Sequence, residues 1–159
     1  MKIIFLDVDG VLNCRNSRSR CGSIIGVDRA KVERLAKIIN ETGAKVVLTS
    51  TWRNGLDDNL EATDKYGKYL IKALRVYGEI EIFGKTEYIN VWDRGNEITE
   101  WLDRHKDVES WVVLDDEVFR DYSMTGVSKR LVKTSWYKDG LTDEHVERAI
   151  ELLNEKEVI

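Results

Sequence analysis

The sequence predicts an α/β fold in which a parallel sheet is covered by helices on both faces. Three observations carry this reading. Short apolar, β-prone runs alternate along the chain with segments of helical periodicity. The runs are continuously apolar, as strands buried on both faces are. Three of them, Ile3–Leu6, Val46–Leu48 and Trp111–Leu114, stop at carboxylate or hydroxyl residues. The carboxyl ends of parallel strands are where such sheets open their ligand crevices.

The elements follow in order. Lys2–Leu6 reads as the first strand. A polar stretch over about residues 10–27 reads as a loop or flap. Asp28 is the expected N-cap of a helix over 28–42, with Val32, Leu35, Ala36 and Ile39 on its apolar stripe and Gly43 as its stop. Lys45–Ser50 is the second strand. A helix is expected over about 56–77, with Leu70, Leu74 and Tyr77 inward and Gly78 ending it. Glu79–Phe83 is the third strand. Residues 95–105 form a helix with Ile98, Trp101 and Leu102 inward. Trp111–Leu114 is the fourth strand and Arg130–Thr134 the fifth. Thr142 caps a terminal helix whose face is Val146, Ala149, Ile150 and Leu153, with Asp143 and Glu144 suited to its first turn.

The 159 residues are expected to form one domain, residues 1–159. No apolar run approaches the roughly 20 residues of a membrane span. The first residues lack a signal-peptide pattern, so a cytoplasmic location is expected. Cys14 and Cys21 are accordingly expected as reduced thiols rather than a disulfide. Without suitably placed histidines they make no zinc site, and neither His105 nor His145 has a partner that gives it a role. The net charge of −4 excludes a global attraction to nucleic acid and leaves only a local patch to provide one.

The chemistry begins at Phe5-Leu6-Asp7-Val8-Asp9-Gly10. Residues two apart on a strand face the same way, so Asp7 and Asp9 can converge on one site. Two like charges so close need a proton, a basic residue or a cation to neutralise them. Hard oxygen donors favour Mg²⁺. Gly10 then lets the backbone turn away. At the tip of the second strand lies Thr49-Ser50-Thr51-Trp52. A hydroxyl there can donate to a phosphoryl oxygen; Ser50 is favoured by its distance from Gly43, with Thr49 and Thr51 as competitors. Asp115-Asp116-Glu117 ends the fourth strand, where three acids are costly unless solvated or bound to a cation.

These stretches, with Arg94-Gly95-Asn96-Glu97-Ile98, resemble the four motifs of the haloacid dehalogenase (HAD) superfamily of phosphotransferases, in the family's order. Together with Leu131-Val132-Lys133-Thr134 and Gly140-Leu141-Thr142, they resemble a small HAD family associated with Swiss-army-knife RNA repair proteins. The resemblance spans nearly the whole chain. It implies a three-layer Rossmann-like core. It also implies a Mg²⁺-dependent phosphatase in which Asp7 is the nucleophile and Asp9 the general acid and base. Ser50 and Arg94 would hold the phosphoryl oxygens, with Lys85 as the rival to Arg94. Mg²⁺ would be held by Asp7, the Asp9 carbonyl and Asp116, with Asp115 orienting the ligand or holding a metal-bound water. Asp121 is a weaker candidate and reads better as a surface acid.

No segment is long enough for an inserted cap domain, so the site is expected to be capless, covered by a short flap at most. Such openness suits a polymer end. Arg15, Arg18 and Arg20 fall in a flap without acids, a pattern suited to phosphate contacts. Trp52 and Trp136-Tyr137 lie near strand tips, where a base could stack, with core packing the favoured reading of each; Thr51 is a candidate substrate contact. The expected partner is a phosphorylated RNA or DNA end, or else a nucleotide, met by a monomer or weak homo-oligomer. Two other classes fit less well. A phospho-accepting receiver domain would carry its acceptor on a later strand, and a retired binding module would not need the intact acids.

Overall fold

The computed structural model describes residues 1–155. Five parallel strands make the central sheet: β1 (Lys2–Leu6), β4 (Lys45–Leu48), β5 (Ile82–Lys85), β6 (Ser110–Asp115) and β7 (Leu131–Lys133), in the order β5-β4-β1-β6-β7. A separate antiparallel pair, β2 (Arg20–Cys21) and β3 (Ile24–Ile25), forms a small hairpin in the flap. The helices are α1 (Arg29–Thr42), α2 (Lys65–Gly78), α3 (Arg94–Asp103), α4 (Tyr122–Thr125) and α5 (Asp143–Asn154). The chain adds β4 and β5 on one side of β1 and then crosses to place β6 on the other. This reversal opens a crevice between the tips of β1 and β6, the topological switch point of an open α/β sheet.

Alternation along the strands sorts the core into two layers. Ile4, Leu6, Val46, Leu48, Val112 and Leu114 pack under α1, α2 and α5. Ile3, Phe5, Val47 and Val113 face α3 and α4, meeting Ile98, Trp101 and Tyr122. Trp101 and Trp111 both stand edge-on to Phe5, at centroid distances of 5.6 and 5.8 Å. The next residue on the second face is Asp7 on β1, Thr49 on β4 and Asp115 on β6. The register therefore sets these three polar side chains in one row under the N-terminus of α3.

The fold class and element order match the expectation, with local differences. The helix expected from about residue 56 begins at Lys65. Thr51–Gly55 is a 3₁₀ turn, and the chain then loops back through a Leu56–Ala62 bridge. The cause is local: Asp57 Oδ1 accepts the amides of Asn59 and Glu61, and Leu60 sits at φ 63, so side-chain bonds replace helical ones. Asp64 then caps α2 through Gly67 N at 2.8 Å. The third strand lies at Ile82–Lys85 rather than 79–83, and its pairing with β4 shifts register between Val46 and Val47.

Gly43 closes α1 in the left-handed region at φ 73, as expected. Asp28 stands at the N-cap of α1, but its side chain does not cap. It accepts instead from the hydroxyls of Ser17 and Ser19 and from Lys31, and so fastens the flap to the domain. Cys14 and Cys21 are buried free thiols. His145 joins the cap of α5, with Nδ1 accepting the Thr142 amide at 3.0 Å. His105 stacks on Trp101. No helix among the described residues is long and apolar enough to cross a membrane.

Candidate active site

Asp7 follows the last residue of the central strand. Its amide still bonds the Leu114 carbonyl at 2.9 Å, and its side chain is buried. Arg94, at the start of α3, reaches down with Nη1 at 3.3 Å from Asp7 Oδ1 and 3.1 Å from Asp115 Oδ2. Its guanidinium lies 4.4 Å from the Phe119 ring centroid. Asp121 sets this helix end. The carboxylate is buried and accepts the amides of Gly95 and Asn96 at 3.0 and 2.8 Å. It is therefore not the surface acid expected from the sequence; burial there is tolerated because the free N–H groups of α3 satisfy it. Lys85 turns away and donates to the Leu56 carbonyl at 2.8 Å. Of the two basic candidates, Arg94 is the one beside Asp7.

Asp115 is fully buried and its oxygens are spoken for. Oδ2 accepts from Arg94 and from the Tyr122 hydroxyl at 3.2 Å, and Oδ1 accepts the Glu117 amide at 2.9 Å. Asp116 is half-buried, and its carboxyl lies beside that of Asp7. Burial and the neighbouring Asp115 charge push the Asp7 carboxyl well above the usual range, against the pull of Arg94. Burial pushes Asp116 up to about 6, the bond to Asp7 opposing it and Asp115 and Glu117 reinforcing it. Gly10 sits at φ 88 against Asp116, and a Cβ there would collide with that carboxyl.

Asp9 differs from its neighbour. It is exposed, and both of its oxygens are held. Asn13 Nδ2 donates to Oδ1 at 2.9 Å and Trp52 Nε1 to Oδ2 at 3.1 Å. Trp52 is packed into the core, the reading favoured over an open stacking platform. It is 6 % exposed, with Tyr66 edge-on at 6.3 Å and Tyr69 tilted at 6.2 Å, because the turn after β4 folds the ring inward. Thr51 is exposed beside it and lines a small second cleft that also reaches Asp9.

The Ser50 hydroxyl accepts the Trp52 amide at 3.0 Å and caps the 3₁₀ turn. Thr49 Oγ1, in the row of Asp7 and Asp115, is buried without a hydrogen-bond partner. An orphaned buried hydroxyl is costly unless something comes to it. Sequence distance favoured Ser50; strand register and this unmet hydroxyl single out Thr49.

Asp7, Asp9, Arg94 and Asp116 line a cleft of about 560 Å³ with Glu117, Lys133, Ser135, Trp136 and Tyr137. Lys133 went unnoticed in the sequence, although its register opposite Asp115 follows from the pairing of β6 with β7. Arg15, Arg18 and Arg20 are exposed and do not line this cleft. Arg20 donates to the Ser17 and Ser19 carbonyls.

The donor set fits a hard divalent cation. Asp7, Asp115 and Asp116 each offer an oxygen within 4.8 Å of the others. Three carboxylates this close repel one another, and a hard cation among them would relieve that repulsion.

A parallel sheet with an aspartate pair at its central tip, a basic residue from the helix before β6 and an acid pair across the switch point defines a HAD-type domain. The sequence model of the family described as HAD domain in Swiss Army Knife RNA repair proteins matches residues 3–146, and the chain belongs to that family. No curated protein and no solved structure matches the chain.

Proposed function

We propose that this chain is a Mg²⁺-dependent phosphatase that works through an aspartyl-phosphate on phosphorylated nucleic-acid ends. The observation that carries the reading is the Asp7 carboxylate at the tip of β1, bonded to Arg94 and backed by Asp115 and Asp116. Asp7 attacks phosphorus and the bond to the leaving oxygen breaks. Asp9 gives that oxygen its proton. Asp9 then takes a proton from the water that opens the acyl-phosphate, freeing phosphate and Asp7. Arg94 and the hydroxyls of Thr49 and Ser50 hold the phosphoryl oxygens. Asp7, the Asp9 carbonyl and Asp116 would hold the cation, which when bound supplies charge neutralisation for the transferring group. Asp115, already committed to three donors, orients Arg94.

Support for a nucleic-acid end comes from the family's association with RNA repair, the open cleft and the three exposed flap arginines. The test is phosphate release from phosphorylated oligonucleotides, nucleotides and a generic phosphate ester, with and without Mg²⁺. Mg²⁺-dependent release, fastest on the oligonucleotide, is expected. Preference for the nucleotide would make the chain a small-molecule phosphatase, and no release from any substrate would leave a binding module.

Two variants sharpen the reading. Asp116→Ala should weaken Mg²⁺ binding, measured by titration calorimetry, more than Asp115→Ala does, because the Asp115 oxygens already accept from Arg94, Tyr122 and the Glu117 amide. Replacing Arg15, Arg18 and Arg20 together by Ala should lower activity on the oligonucleotide and flatten its salt dependence, at a log–log slope of about 0.7 per lost phosphate contact on single strands. Activity on the generic ester should hold. Equal losses on both substrates would mean that the flap shapes the catalytic centre itself.

A further inference from the structure

Asp9 is held more elaborately than an exposed carboxylate needs. Asn13 is fully buried and its amide is used up: Oδ1 accepts the Gly10 amide at 2.9 Å, while Nδ2 donates to Asp9 at 2.9 Å and to the Gly26 carbonyl at 2.7 Å. This fixes one oxygen of Asp9 from the base of the flap. The other is fixed from the opposite side by the indole of Trp52. That ring is held in place, since it is buried, its amide is tied to Ser50 and it packs beside Tyr66 and Tyr69. Tyr69 is itself anchored by the Val27 amide at 3.0 Å.

An indole N–H donates and never accepts. It can therefore aim a carboxyl group without competing for the proton that the group transfers. We infer that Trp52 is a positioning residue that orients Asp9 to protonate the leaving oxygen, a role that rests on the phosphatase reading above. A tryptophan two residues beyond a hydroxyl-tipped strand thus serves the catalytic acid through its polar edge while its rings fill the core.

Leaving-group dependence separates this role from packing. A good leaving group such as dinitrophenolate needs no proton, whereas an alkoxide does. The kcat/KM for a series of dinitrophenyl, phenyl and alkyl phosphates reports formation of the aspartyl-phosphate alone, so hydrolysis of the intermediate does not blur it. Trp52→Phe should leave the dinitrophenyl ester nearly unchanged and slow the alkyl ester by about tenfold or more, part of the 10²–10⁴ that general acid catalysis supplies. Asp9→Asn should slow every ester, the alkyl ester most, with a steeper dependence on the leaving group. Should the Phe variant fold poorly, replacing Trp52 by its benzothiophene analogue removes the N–H alone and should give the same slope.

An equal fractional loss on every ester, in a variant whose melting transition is intact, overturns the positioning role and leaves the phosphatase reading standing. A wild-type chain that turns over neither these esters nor a phosphorylated oligonucleotide overturns both.

Discussion

Asp7→Asn should abolish phosphatase turnover and at the same time stabilise the metal-free protein. Loss of a covalent nucleophile costs on the order of 10³–10⁶ in kcat, and amide for carboxylate changes almost nothing in size. The stability effect follows from burial. Asp7 sits in a desolvated row beside the Asp115 charge, and its carboxyl is held well above the usual range. For an acid raised in this way, the unfolded chain ionises first. Stability is full below the unfolded value of about 4 and falls as pH rises from there through the folded value. The Asn variant cannot ionise, so its melting temperature without metal should exceed that of the wild type at neutral pH, and the gap should close in acid. Thermal melts at two pH values together with a turnover assay check both halves. A folded Asp7→Asn protein with near-normal turnover would remove the mechanism.

Glu97→Ala should give the largest loss of stability. Arg53 and Glu97 form a buried ion pair at 2.6 Å, side chains 6 % and 2 % exposed. Arg53 also donates to the Thr49 carbonyl at 2.9 Å and the Thr86 hydroxyl at 2.7 Å. Removing one partner of such a pair strands the other charge, at a cost of about 3–5 kcal/mol. That is a large share of a domain stability of about 5–15 kcal/mol. The pair joins the turn after β4 to α3, the helix that carries Arg94, so activity should fall with stability. Urea denaturation of Glu97→Ala and of the apolar double variant Arg53→Met, Glu97→Leu separates the terms. The double variant should recover much of the stability, because no charge is left unpaired.

What the sequence made legible was local. An apolar run that stops at Asp7, at Thr49-Ser50 or at Asp115-Asp116 carries its burial and its chemistry in neighbouring residues, and these strands and their order were readable. The missed features depend on partners far along the chain. Glu97 lies 44 residues from Arg53, and nothing near either marks the pair. Lys85 and Arg94 both suited the basic role until Lys85 met the Leu56 carbonyl. The start of α2 was hidden because Asp57 offers the backbone an alternative to helix, and the place of Thr49 in the row of Asp7 depends on the pairing of β1 with β4. Core packing of Trp52 was readable but its bond to Asp9 was not, because an indole near a strand tip reads the same whether its face or its N–H does the work.

The placement of Asp7 just past the central strand bears on how the protein would lose activity. Its amide bonds to Leu114, and the Thr49 amide bonds to the Leu6 carbonyl, so the backbone under the nucleophile is laced into both neighbouring strands. Amides of this kind exchange with solvent deuterium only when the whole domain opens. The nucleophile should therefore rank with the slowest-exchanging positions of the chain, while the flap amides exchange early. Partial denaturant should accordingly disturb how substrate is gripped well before it disturbs the atom that attacks it.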